Sequence, residues 1–237
     1  MGSASETGAA RARAVRTPPR AGSHAYGLLL GLILVSLSFQ LATPDDGWAR
    51  WVTIGLQSAA LLAALRVSGV RTWVFRAAAV LVTVTVLSTA GILISSGDLD
   101  HLPARGVALM LVALAPIAIA AGVIREIRSR GGVTIQAMFG VLCIYLLLGM
   151  LFAFLYGIAG ELADRPFFAQ SDSETQSDFL YFSFATQTTT GYGDLTAATD
   201  LGRSLAITEA LIGQIYLVTV VALIVGNLGR SRAATGR

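Results

Sequence analysis

The chain has 237 residues, 54% of them hydrophobic and only 13% charged, with a net charge of +3 and a mean hydropathy of +0.69. A soluble domain of this length carries about twice that charged fraction, which excludes an ordinary soluble domain and points to a polytopic membrane protein. All 17 basic residues are arginine, and the single cysteine, Cys143, lies in an apolar run, so no disulfide can form within the chain.

Residues 1–24 are rich in Ala, Gly, Ser and Arg and read as a disordered tail. Arg11, Arg13, Arg16 and Arg20 stand just before the first apolar run. Arginines placed there set orientation and touch anionic lipid more often than they bind nucleic acid. Six apolar runs follow: Tyr26 to Ala42, Trp51 to Val67, Trp73 to Ser95, Val107 to Ile124, Val133 to Ile158 and Leu205 to Leu228. Each is near the roughly 20 residues that cross a bilayer as helix. A cleaved signal peptide competes for the first run, but no clean small-residue cleavage site follows it, so it is read as a retained span. Trp48 and Trp51 fall where an interfacial aromatic belt would lie, and Pro116 predicts a kink in the fourth run.

With the N-terminus inside and the spans alternating, the inner segments hold 13 of the 17 arginines and the outer segments 11 of the 14 acids. That distribution follows the positive-inside rule and puts both termini in the cytoplasm, with the chain in the plasma (inner) membrane.

Between the fifth and sixth runs comes an acidic stretch, Glu161, Asp164, Asp172, Glu174 and Asp178, and then the short apolar run Phe179 to Ala185. The short run cannot span. It must dip in and return, with its non-helical backbone buried in protein. Asp178 reads as the N-cap of a helix that ends at Gln187. Next comes Thr188-Thr189-Thr190-Gly191-Tyr192-Gly193-Asp194. Successive carbonyls can point one way only if the backbone alternates through conformations that L-residues resist, and Gly191 and Gly193 occupy alternate positions. Rings of such carbonyls can replace the water shell of a potassium ion, and the Thr189 hydroxyl can add an oxygen at the inner end.

This segment resembles the selectivity filter of the tetrameric potassium channels, and the resemblance runs from Val133 to Arg230. It implies an all-α membrane protein with six transmembrane helices, and a re-entrant pore helix and filter between helices 5 and 6 of a tetrameric pore. Residues 25–130 would be a four-helix peripheral domain, 131–229 the pore domain and 230–237 a short cytoplasmic tail. The resemblance also implies potassium coordination by Thr189, Thr190, Gly191, Tyr192 and Gly193. Potassium would be the permeant ion, with no cofactor, and the partners would be membrane lipid and three further copies. The family's usual Val stands here as Thr190. Tyr181 and Phe182 replace common tryptophans, and Ala185 stands where a Glu is frequent.

Asp194 at the outer mouth can concentrate cations or cap its own loop. Tyr181 either hydrogen-bonds Asp194 and braces the filter or packs as a plain aromatic. Glu209 is the one acid inside a span and is expected as a protonated or hydrogen-bonded brace near Thr186 or Thr189, or else as a gating or proton-sensing group. Gly213 is either a hinge or a close-packing site. Helical spacing puts Gln214, Leu217, Val221 and Val225 on one cavity-lining stripe.

The fourth run carries no arginine, and Arg125 and Arg128 lie at its inner edge as anchors, so conventional voltage sensing is not expected. The gating stimulus leaves room for an unseen regulatory partner. His24 and His101 are isolated, no Ser/His, Cys/His or HExxH constellation exists, and an enzyme is not expected. A weakly selective cation channel and a potassium-uptake transporter subunit are the rival readings.

Overall fold

The computed structural model describes residues 25–43, 47–69, 75–76, 79–80, 82–84, 87, 102–130, 133–170 and 174–227. The described elements are helical: α1 (Ala25–Ala42), α2 (Gly47–Val67), α3 (Leu102–Arg130), α4 (Ile135–Glu161), α5 (Gln176–Gln187) and α6 (Asp200–Ile215). The last runs on through a π-helical stretch, Tyr216–Val221, and is helical as far as Asn227, the last described residue. The third apolar run, Trp73 to Ser95, is described only at scattered helical positions, and the two tails lie outside the described residues. Among the described residues, three helices are long and apolar enough to cross a bilayer: α1, α4 and the helix Asp200–Asn227, with mean hydropathies of 1.9, 2.5 and 2.0. The second run begins four residues earlier than expected, at Gly47, so Trp48 lies within α2, edge-on to Phe39 of α1. Pro116 lies inside the continuous α3.

α4 is the centre of the molecule. It is apolar all round, as a helix buried on every side should be, and it packs against α1, α3, α5 and α6. One core joins α1–α4 through Tyr26, Leu29, Ile33, Leu61, Ile119, Val141 and Leu147. Ser36, Gln40 and Gln57 inside it are paired with one another, since an unpaired polar group in apolar surroundings is costly, while the buried Ser58 hydroxyl of α2 has no partner. Gln40 Nε2 donates to Ser36 O (3.0 Å), and Gln57 Nε2 to Gln40 Oε1 (3.2 Å). Gln136 Oε1 of α4 accepts from the Tyr26 N–H at the start of α1 (3.1 Å), filling a donor that a helix end leaves open. Arg125 donates through Nη1 to Gly69 O (2.7 Å) just past the C-terminus of α2, where Gly69 has φ +58°.

A second, aromatic core joins the C-terminal half of α4 to the following loop and α5: Phe152, Tyr156, Phe167, Phe168, Phe179 and Phe182. The segments before α5 and before α6 are tied together. Phe168 and Ala197 form an antiparallel bridge, with Ala198 N–H on Phe167 O (2.7 Å) and Ala169 N–H on Thr196 O (2.9 Å).

Threonines start all three C-terminal helices. Thr134 accepts from Ala137 N, Thr175 from Asp178 N and Thr199 from Gly202 N. Asp178 is therefore not the N-cap of α5. It stands at the third helical position of a capping box, with its carboxylate on the Thr175 N–H (3.0 Å). Both residues are good caps, and the helix takes the earlier one because the pair satisfies two orphan donors where Asp178 alone would satisfy one.

Candidate functional site

α5 ends at Gln187, and Thr188 turns the chain out of it, with N–H and Oγ1 both on Phe184 O (3.0 and 2.6 Å). Beyond it three alternate residues take positive φ: Thr189 at 58°, Gly191 at 54° and Gly193 at 82°. Glycine does this freely; an L-residue does so at about 1–2 kcal/mol, and a β-branched one is unusual there. The glycines mark two of the three positions in the sequence, and Thr189 carries no such mark. Neighbours hold the Thr189 conformation: its N–H donates to Thr186 O (3.0 Å), and its Oγ1 accepts from Gln214 Nε2 (3.2 Å). The N–H groups of Thr190 and Gly191 converge on Ala185 O (2.9 and 3.1 Å). With these N–H groups turned toward α5, the alternation is the backbone pattern that lets carbonyls share the opposite direction.

The hydroxyls of Thr188 and Thr190 lie 2.8 Å apart. Tyr181 donates to Asp194 Oδ2 (2.8 Å), and its ring stacks on Tyr192 at 6.2 Å and 7°. That hydrogen bond pushes the Tyr181 hydroxyl above the usual tyrosine range. Asp194 Oδ1 also accepts from the Leu195 N–H (3.1 Å). Residues 188–194 are exposed in the single chain, Tyr192 by 72%. No group of three or more His, Cys, Asp or Glu able to hold a metal occurs among the described residues. A cation at this loop would meet backbone and hydroxyl oxygens.

α6 lies behind the loop. Gly213 is buried, and a Cβ there would stand 2.8 Å from Gln187 O and 2.9 Å from Gln187 Cγ. The residue is small because α6 meets the end of α5. Gln187 is itself fixed by α4: its Nε2 donates to Tyr145 O (2.8 Å), and its carbonyl accepts from the Tyr145 hydroxyl (3.3 Å). Glu209 is fully buried, but it does not meet Thr186 or Thr189. Its Oε1 is 2.5 Å from Ser183 Oγ, and its Oε2 takes the Tyr156 hydroxyl. Gly213 is the α6 residue that meets the end of α5, and Glu209 lies one turn nearer the N-terminus of α6.

The expected stripe on α6 is also divided. Gln214 and Val225 are exposed, but Leu217 is half-buried and Val221 packs against the α1–α4 core. Leu217 and Val221 both lie inside the π-helical stretch, whose wider turn departs from the α-helical projection that put them on the stripe.

Four side chains that matter here carry no motif: Tyr145, Tyr156, Ser183 and Tyr216. A phenol inside an apolar span must find a partner, and that was the available signal. Tyr216 donates to Val141 O (2.8 Å) and stacks on Tyr145 at 6.0 Å.

An ion channel family model matches residues 140–229, taking in most of α4, the whole of α5 and the loop, and α6. No curated protein matches the chain. That stretch is similar to the ion channel family, and with the bilayer-length helices it marks the chain as a membrane protein.

Proposed function

We propose that the protein is a potassium-selective channel that conducts passively as a homotetramer in the plasma (inner) membrane, with both termini cytoplasmic. The observation that carries this reading is the alternation of positive φ at Thr189, Gly191 and Gly193 within TTTGYGD, inside the stretch similar to the ion channel family. Oxygens of Thr189, Thr190, Gly191, Tyr192 and Gly193 would form stacked rings that stand in for the ion's water shell. One chain offers one carbonyl per ring, so the site needs other copies around an axis. Two exposures support this: that of residues 188–194, and that of Ile207, Leu211, Ile215 and Val218 on α6, large apolar side chains that a lone chain leaves bare. α5 would be the re-entrant pore helix, its negative C-terminal end favouring a dehydrated cation. The Tyr181–Asp194 hydrogen bond would brace the filter from behind.

Six spans, four of them a peripheral domain without an arginine ladder, complete the proposed architecture and leave conventional voltage sensing out. A second reading, a weakly selective cation channel, draws on the Thr188–Thr190 hydroxyl contact, which puts polar atoms where an apolar side chain would pack. Purified full-length protein in liposomes tests both. The potassium reading expects barium-blockable flux and a reversal potential that follows the potassium gradient in mixed potassium and sodium. Equal permeability to the two ions would select the second reading. Silence in both would remove each.

A further inference from the structure

We propose that Glu209 is a positioning residue that holds a proton, and that this proton fastens α6 to α5 and α4 behind the loop 188–194. Ser183 Oγ lies 2.7 Å from Gly149 O and 2.5 Å from Glu209 Oε1. A serine hydroxyl has one proton to give, and a backbone carbonyl can only accept. The Ser183 proton therefore serves Gly149 O, and the second contact needs a proton from the carboxyl. The Tyr156 hydroxyl donates to the other carboxyl oxygen. With Glu209 neutral, every oxygen in the cluster has a matched partner. With Glu209 ionised, Ser183 must abandon Gly149 O, and the charge is shut in with a fully buried Tyr156 whose ring packs on Phe152, Phe167 and Phe182.

The titratable groups facing Glu209 are Tyr156 and, further off, Tyr145, both of α4. α5 presents Ser183, while its ionisable Asp178 and Tyr181 are engaged with Thr175 and Asp194. No arginine reaches the carboxyl among the described residues.

The three-helix fastening is thus complete while the proton is held. It is lost as pH rises and the carboxyl ionises, so conduction falls on the alkaline side. The conduction readout rests on the channel reading above; the proton assignment does not. The full chain in liposomes is titrated while infrared spectra and potassium flux are recorded, for the wild type and for Glu209→Gln. The Gln amide can donate to Ser183 and accept from Tyr156 at every pH. The expected result is a protonated-carboxyl band at neutral pH that Glu209→Gln lacks, with wild-type flux falling several-fold on the alkaline side and Glu209→Gln flux staying level.

A carboxylate band alone at neutral pH overturns the proposal, and so does an alkaline decline shared by Glu209→Gln. Should that variant not assemble, Ser183→Ala serves instead: it uncouples the carboxyl from α5 and should lose the pH dependence, and keeping it would overturn the proposal. Wild type silent to potassium at every pH, with the protonated band present, sinks the channel reading and supports the proton assignment.

Discussion

At Gly191 the backbone stands at φ +54°, and nothing lies within 4 Å of where a Cβ would be. Within the single chain a side chain there meets only its own backbone, so Gly191→Ala tests the conformational requirement without a clash inside the chain. The expected loss is about 1–2 kcal/mol per chain if the left-handed geometry is kept. If the residue relaxes instead, its carbonyl turns away and potassium flux disappears while thermal stability barely moves. Full flux with unchanged stability would show that the alternation is not needed. The sequence marks this position openly, because only glycine takes the geometry freely. It does not mark Thr189, whose left-handed backbone is imposed by Thr186 O and by Gln214 from another helix. Glu209 shows the same divide. Its burial can be read from a lone acid in an apolar run, but its partners stand 26 and 53 residues away and became visible only once three helices were packed.

At the scale of the element, α6 carries two departures from a plain helix. Gly213 lets it approach the end of α5. Gly213→Ala would improve helix propensity by up to about 1 kcal/mol if flexibility were the purpose. Overpacking against Gln187 should instead cost about 1–3 kcal/mol and displace the loop. The expected outcome is a lower melting temperature of the assembled protein together with reduced flux; a more stable variant would restore the hinge.

The π-helical stretch Tyr216–Val221 behaves as one extra residue in the helix. Deleting Val218, which is 68% exposed, should remove the extra residue and leave Ile224 facing inward as it does now. Deleting Leu211, in the regular part of α6, should rotate everything beyond it by about 100° and prevent assembly. Size-exclusion profiles of the two deletions check this, and equal damage from both would count against the bulge as a separable insertion. Periodicity could not reveal this stretch, because an apolar run of this length satisfies any helical register. The capping box of α5 was legible in Thr175 and Asp178, but the start of the apolar run at Phe179 drew the boundary to the later residue.

At the scale of the whole molecule, α1 packs against α4 and α5 of its own chain, and only Gly131, Gly132, Val133 and Thr134 separate α3 from α4. α3 packs on α4 of the same chain, and in the proposed assembly the peripheral helices are expected to stay with the chain that carries them. Gly27 of α1 faces the Phe139 ring of α4, 3.5 Å from a built Cβ. Cysteines placed by Gly27→Cys and Phe139→Cys, with Cys143→Ser, should be joined by a short bifunctional reagent within one chain. The denatured product should run as a monomer; a ladder of dimers and higher species would mean that the peripheral helices lie on a neighbouring copy.

The pairing of residues 167–170 with 196–198 reaches beyond the chain's outline. Gln170 and Thr196 exchange two hydrogen bonds there, at 2.9 and 2.7 Å, alongside the bridge. The excursion through α5 and the loop is thereby pinned at its base, and the chain entropy of bringing its ends together is spent within one polypeptide. In the assembly proposed above, each copy would arrive at the meeting point with its share of the oxygen-lined route already shaped, and association would have only to align finished parts.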